Sequence, residues 1–348
     1  MTITSDGNGR GATLDAVALA AGVSRATVSR VVNGNQRVNP DARRAVERAI
    51  DRLGYVPNAA ARSLVTRRSN SVGLVIPEPT SRLFNDPFFP RLLRGISAEL
   101  GSSGLALVFL MPQSPSEEGR IERYLAAGHV DGVLLASHHL DDPLPTHLVA
   151  RGVPVVLGGR PPRGTQVSYV DVDNIQGARS AVERLHRTGR RRIATIAGPE
   201  DMPAGADRLT GYREALREAS LPADPGLEAS GDFSLEGGEQ QMRRILAARP
   251  EVDAVFVASD LMAAGALRAL RAAGRRVPED VAVVGFDDSM AESMDPPLSS
   301  VRQPVEDMGR EMVRLLLDMV ASPEAVARRV ILATQLIWRR SSEGGPTG

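Results

Sequence analysis

Two groups of residues in this 348-residue chain have types and spacing that could do chemistry. The first is Arg25, Thr27, Ser29 and Arg30, inside the run LDAVALAAGVSRATVSRVV that begins at Leu14. On a helix they occupy the face left exposed when Val28 and Val31 turn to a core. A guanidinium can donate to both acceptors of a guanine edge, and Ser and Thr hydroxyls can hold phosphate oxygens. Ser24, just ahead of them, can cap that helix. The second group is polar or aromatic and falls just after short apolar runs: Phe88 and Phe89, Arg160, Asp173 and Asn174, Asp260, Asp287 and Asp288. At the carboxyl ends of parallel strands such side chains converge on a crevice that takes a ligand.

Other chemistries lack their residues. There is no Cys, which removes disulfide scaffolds, thiolate zinc sites and thiol nucleophiles. The G-x-S-x-G elbow, H-E-x-x-H and the P-loop are absent, and no G-x-G-x-x-G follows a strand. His138-His139 reads as a solvated loop, while His129, His147 and His186 stand alone. The sequence therefore predicts no enzyme, no metal and no cofactor. No apolar run reaches about 18 residues. The opening MTITSDGNGRGA lacks the apolar segment of an export signal, so a cytoplasmic protein is expected.

Residues 14–54 must position the first group. Ala18 and Gly22, four apart, allow two helices to turn sharply, with Val23 plugging the corner. Asn33-Gly34-Asn35 ends the second helix. Asn39-Pro40 reads as cap and first residue of a third, Gly54 as its stop, and Pro57 as a boundary. This is a helix-turn-helix pattern whose second helix would enter the major groove. Residues 58–68 favour helix but are too few to hold one alone in water. They are either a plain linker or a segment that folds when paired with a second copy on DNA. In the latter case Leu64 would be a wedge opening a base step, and Ala61 would allow close approach.

From Ser71 onward β-branched runs alternate with helical stretches: Val72–Ile76, Leu105–Leu110, Gly132–Ala136, Pro154–Leu157, Tyr169–Val172, Ile193–Ala197, Ala254–Ala258 and Val281–Gly285. That rhythm predicts parallel sheets in α/β units. VDGVLLAS at 130–137 echoes VDAVFVAS at 252–259, as two similar lobes would. The charge divides in the same place. All 42 basic residues are Arg; residues 1–68 carry a net +6 and the rest −6, which suits a basic module meeting a polyanion beside an acidic body.

The stretch TLDAVALAAGVSRATVSRVVNG followed by RVNPDARRAVERAIDRLGYVPNAAARSL resembles the DNA-binding headpiece of the LacI/GalR family of bacterial transcription regulators, and the likeness extends over roughly residues 13–340. The resemblance implies that Thr13 and Leu14 begin helix one and that Arg25 and Ala26 hold the two main base-reading positions. Ala26 cannot hydrogen-bond a base edge, which leaves the readout to Arg25. Thr27, Ser29, Arg30, Asn33, Tyr55 and Asn58 fall where the family contacts backbone or supports the fold. Ser24, Arg37 and Ala61 complete the expected DNA-binding set, and Leu64 falls on the family's intercalating leucine.

The fold implied is an N-terminal all-α helix-turn-helix headpiece plus an α/β periplasmic-binding-protein-like body with two doubly wound parallel-sheet lobes. Its expected parts are a tail at 1–12, the headpiece at 13–57, a hinge helix at 58–68, an effector-binding and dimerisation domain at 69–340, and a tail at 341–348. Lobe one would hold 69–172 plus 302–330, and lobe two 173–301 plus 331–340. By motif, Arg208 in ADRLTGYREAL matches the effector-binding Arg, Asp287 in VVGFDD its partner carboxylate, and Phe233 in GDFSLEGG the ring that stacks on a ligand. Asp260 in VASDLMAAGAL lies at the other strand end; Phe88, Arg160 and Asp173 complete the expected effector site. The segment PEPTSRLFNDPFF departs from the commoner, shorter family pattern.

The expectation is a dimeric, effector-controlled transcriptional regulator, a repressor of carbohydrate genes, binding a palindromic double-stranded operator. The effector is a sugar, or else a purine or nucleoside. A transport-type sugar-binding protein is the competing class, and it would need export.

Overall fold

The computed structural model describes residues 12–32, 35, 37–56, 68–162, 164–322 and 326–344. Asn33, Asn58, Ala61 and Leu64 lie outside the described residues. The chain divides into two compact units, 1–69 and 70–348.

The first unit is built from α1 (Leu14–Ala21), α2 (Arg25–Val32) and α3 (Pro40–Leu53). Thr13 caps α1, its hydroxyl accepting from the Ala16 amide. Gly22 takes the left-handed conformation (φ 66°) that a side chain resists, and its amide closes α1. The Val23 amide then reaches back to the Ala18 carbonyl at 3.1 Å, which fixes the corner. Ser24 accepts from the Thr27 amide at 3.2 Å and starts α2. Asn39 caps α3 through the Asp41 amide at 2.8 Å. Val17, Val28, Val31, Val46, Ala49 and Tyr55 form the core, against which Ala12 also packs, although the sequence placed Ala12 in a tail.

The second unit carries two six-stranded sheets. Lobe one contains β1 (Ser71–Val75), β2 (Ala106–Leu110), β3 (Gly132–Ala136), β4 (Val155–Gly158), β5 (Ser168–Val172) and, late in the chain, β11 (Arg329–Leu332), in the order β11-β5-β4-β3-β1-β2. Lobe two contains β6 (Ile193–Ala197), β7 (Glu228–Ser230), β8 (Ala254–Val257), β9 (Ala282–Asp287), β10 (Ser299–Arg302) and β12 (Gln335–Ile337), in the order β12-β10-β9-β8-β6-β7. All pairings are parallel except β10 with β12.

Central strands such as β1, β3 and β6 are buried at every position, because helices cover both faces; hence they read as unbroken apolar runs. In lobe one the helices are α4 (Thr80–Asn85), α5 (Phe88–Gly101), α6 (Pro115–Ala126), α7 (Leu144–Ala150) and, from beyond lobe two, α12 (Val305–Ala321). In lobe two they are α8 (Asn174–Arg187), α9 (Pro203–Glu218), α10 (Leu235–Ala248) and α11 (Asp260–Ala272). A Cβ at Gly95 would lie 2.0 Å from the Glu306 carbonyl oxygen, so only glycine lets α5 and α12 meet this closely.

The chain passes between lobes near residues 173, 303 and 333, and two boundaries differ from the sequence-based ones. Arg302 pairs with Asp287 in lobe two, whereas lobe one was expected to resume at 302. Ile331 and Leu332 pair with Asp171 and Val172 in lobe one, whereas lobe two was expected from 331. Register decides both, and the last crossing falls at Ala333-Thr334. Ser341 and Ser342, expected in a tail, are fully buried. The Ser341 hydroxyl donates to the Val283 carbonyl at 2.6 Å and accepts from the Ser299 amide at 2.8 Å, which ties this segment into lobe two.

Candidate DNA-reading helix and ligand cleft

On α2, Arg25, Ala26 and Arg30 are exposed, and Thr27 and Ser29 are half-buried. The Arg25 side chain is 71% exposed and its Nε lies 3.7 Å from an Asp15 carboxylate oxygen. Such an exposed pair is worth about 0–1 kcal/mol, so the guanidinium can leave it for a base edge at little cost. The Ser24 and Thr27 hydroxyls bond each other at 2.9 Å, which holds the helix start and limits what either can offer a phosphate. Arg37 is exposed beside Asn35, whose Oδ1 accepts its amide. Tyr55 is buried in the helical core and Leu14 packs against it; both support the fold.

In the second unit a cleft of about 650 Å³, its mouth included, opens between the two sheets at the carboxyl ends of their strands. Arg208 of α9, 4% exposed, stands on the lobe-two wall. Its Nε donates to Asn174 Oδ1 at 2.9 Å and its Nη1 to the Ala258 carbonyl at 2.6 Å. Nη1 also lies 3.7 Å from Asp287 Oδ1, and the guanidinium carbon sits 3.7 Å over the Phe286 ring. Among the described residues nothing accepts from Nη2, which leaves two N–H donors for a ligand.

Asp287 ends β9 at φ 112°, and its Oδ1 accepts from Gln303 Nε2 at 2.5 Å. Burial holds its carboxyl well above the usual range, against the pull of Arg208. Phe233 also takes a left-handed conformation (φ 63°), and its ring occupies the space that a Cβ on Gly198 would enter at 2.2 Å. The cleft is lined as well by Asp86 and Asp171. Burial raises both carboxyls, that of Asp171 to about 6. Asp171 accepts from the Val172 amide at 2.8 Å and from Asn174 Nδ2 at 3.0 Å. Arg82 reaches in from α4, salt-bridged to the buried Glu78 at 2.6 Å, and lies 4.8 Å over the Phe233 ring.

Of the expected effector residues, Phe88, Arg208, Phe233 and Asp287 line this cleft, and Arg160, Asp173 and Asp260 do not. Arg160 pairs with Asp207, its side chain 44% exposed. Asp173 caps α8, accepting from the Gln176 amide at 3.1 Å. Asp260 is fully buried behind the wall, accepting from Ser300 Oγ at 2.6 Å and the Ser289 amide at 2.8 Å. Burial raises its carboxyl to about 7. A strand-end position places a residue near the cleft without fixing which way its side chain turns. Asp288 turns away to Arg302 and Arg339.

Arg82, Asp86, Asp171 and Gln303 line the cleft without having been singled out. His138 corrects a sequence expectation. It is 1% exposed rather than solvated, because the turn after β3 folds inward through Ser137 at φ 59°. Its Nε2 lies 3.2 Å from the Arg160 carbonyl, and burial lowers its pKa to about 4, so the ring is neutral at pH 7. His139 stays partly exposed, 2.6 Å from Asp201. Among the described residues no cluster of His, Asp and Glu could hold a metal ion, and no helix is long and apolar enough to cross a membrane.

A family described as bacterial regulatory proteins, lacI family, matches residues 13–58, and one described as periplasmic binding protein-like domain matches 182–342. The HTH-type transcriptional regulator CelR of Thermobifida fusca is 55% identical over 333 residues, covering 94% of this chain and 98% of that protein. A solved transcriptional regulator CelR–cellobiose complex is 52% identical with a TM-score of 0.76, covering 95% and 99% of the two chains. The lac repressor dimer bound to operator and the anti-inducer ONPF is 28% identical with a TM-score of 0.83, covering 96% and 99%.

Proposed function

The chain belongs to the LacI family of bacterial regulatory proteins, and on that premise we propose that its cleft is a carbohydrate sensor controlling a DNA-reading head. The protein is a DNA-binding transcriptional regulator. One observation carries the sensor reading: Arg208 and Asp287 present donors and acceptors side by side next to the face of Phe233. Vicinal hydroxyls need that pair, and the C–H face of a pyranose packs on a ring. Asp86 and Asp171 add acceptors, and the cleft's second cation, Arg82, is already paired with Glu78, which favours a neutral, hydroxyl-rich ligand over a phosphorylated one. The cellobiose complex of the 52% identical regulator makes a β-linked disaccharide the first candidate.

The remaining parts follow from the same family. Two copies bind a palindromic operator, each placing Arg25 of α2 toward a base edge, because a two-fold dimer imposes two-fold half-sites. Arg30, Ser29 and Arg37 hold phosphates. Residues 58–68 act as the hinge between the headpiece at 13–57 and the body. The body binds its ligand and does no chemistry on it, and the protein works in the cytoplasm. Ligand binding changes lobe closure and through it operator affinity, a coupling of about 1–3 kcal/mol.

Calorimetric titration with cellobiose, glucose 6-phosphate, adenosine and guanine tests the sensor reading. Cellobiose is expected to bind, Arg208→Ala to abolish binding, and the phosphate ester not to bind. Binding of adenosine or guanine with none of cellobiose would overturn the carbohydrate assignment.

A further inference from the structure

Resting on the carbohydrate reading, we propose that Asp260 and Ser300 are positioning residues for ligand binding: they touch no ligand and hold the backbone from which Asp287 meets Arg208. β9 runs into two consecutive residues with positive φ, Asp287 at 112° and Asp288 at 51°. Neither is glycine, and side chains resist that half of the map. Such backbone persists only where its surroundings over-determine it, and it gathers at ligand sites. A change of φ at Asp287 would swing its own carboxylate. Whatever fixes this backbone therefore fixes the acceptor offered to the ligand.

The fixing converges on one buried carboxylate. Asp260 Oδ2 accepts from the Ser289 amide at 2.8 Å, and the Met290 amide bonds the same carboxylate. Its Oδ1 accepts from the Ser300 hydroxyl at 2.6 Å, and the Ser300 oxygen in turn accepts from the Asp288 amide at 3.1 Å. Three consecutive amides just past Asp287 are thus pinned to Asp260, directly or through Ser300. The Asp260 amide itself donates to Asp287 Oδ2 at 3.4 Å. Helix α11 does not need this carboxylate, because Ser259 already caps it by accepting from the Met262 amide at 3.2 Å. Gly285 leaves the room: a Cβ there would lie 2.6 Å from Asp260 Oδ1. Asp260 and Ser300 are fully buried and neither lines the cleft, so they act through Asp287 and not on the ligand.

The test measures cellobiose affinity of the full-length wild type, Ser300→Ala, Asp260→Asn and Ser341→Ala by calorimetry. Each is titrated about 20 °C below its own melting temperature, where unfolding cannot lower the apparent affinity. Ser341→Ala is the matched control. Its hydroxyl is as buried and as fully bonded in the same lobe, but its partners are the Val283 carbonyl and the Ser299 amide. Ser300→Ala is expected to weaken cellobiose binding about three- to tenfold, and Asp260→Asn more than that. Ser341→Ala should lower the melting temperature and leave affinity within about twofold, since its hydrogen bonds serve stability alone. Affinity within twofold for Ser300→Ala would overturn the proposal. So would equal losses in Ser300→Ala and Ser341→Ala, the mark of general loosening of the lobe. If Asp260→Asn does not fold, Ser300→Ala, which removes one hydroxyl, decides alone. A wild type that binds no carbohydrate would instead sink the sensor reading beneath, a result distinct from binding that ignores Ser300.

Discussion

Arg208 is held by Asn174, the Ala258 carbonyl, Asp287 and the Phe286 ring before any ligand arrives, so its remaining donors are aimed in advance. The motif around it made Arg208, Phe233 and Asp287 legible in the sequence. Asp171 was not, although it lies two residues before the flagged Asp173. A polar residue inside a β-branched strand looks like an outward-facing position, and only the sheet edge shows that it faces the cleft. Its carboxyl carries a pH signature. With a folded pKa of about 6 against 3.8 when unburied, Asp171 binds its proton more tightly in the folded state. Its contribution is therefore most favourable below pH 3.8 and is lost as pH rises through 6. Asp171→Asn has no such dependence. Calorimetry of the ligand-free protein should show the wild type gaining on the variant between pH 7 and pH 5, by about 1 kcal/mol. A constant difference across that range would remove the raised carboxyl from the account.

Between elements, the loop after β3 and the start of α9 tie the lobes at the cleft rim. The Leu140 amide donates to the Asp201 carbonyl at 2.7 Å, His139 meets the Asp201 carboxylate, and Arg160 pairs with Asp207. These contacts join one lobe to the other without lining the cleft, so they favour closure independently of the ligand. Arg160→Ala combined with Asp201→Ala should weaken sugar binding about two- to fivefold, the scale of partly exposed ion pairs. Unchanged affinity would show that the rim contacts do not bear on closure. The main strands were legible because their unbroken apolar runs require two covered faces. β7, β10, β11 and β12 were not, because each is short and carries polar residues (EAS, SSVR, RVIL and QLI) instead of an unbroken apolar run. β11 alternates exposed and half-buried positions at a sheet edge. α4 arises from the segment that departs from the shorter family pattern, and it puts Arg82 and Asp86, four apart, at the cleft.

For the whole molecule, the even total of basic and acidic residues conceals a +6 segment (1–68) and a −6 remainder. The acidic remainder resists non-specific wrapping on DNA and leaves contact to the basic segment. Because the chain has no Lys, every cationic side-chain contact to DNA is a planar guanidinium fork. Leu64, in the proposed hinge, should matter to recognition rather than to attraction. Leu64→Ala is expected to weaken operator binding at least tenfold and binding to scrambled DNA very little, by titration at fixed salt. An equal fall on both DNAs would refute the wedge role.

The strands that complete the two sheets, β11 and β12, come last and are separated only by Ala333-Thr334. During synthesis lobe one cannot finish folding until residue 332 has left the ribosome, nor lobe two until residue 337 has. The small helical head, with its own core, can fold once Tyr55 has emerged. At roughly 5–20 residues per second, the interval from that point to residue 337 is about 14–56 s. For that time each nascent chain displays a formed DNA-reading surface joined to a sensor that does not yet exist. Regulation begins only when the end of the chain locks both sheets together.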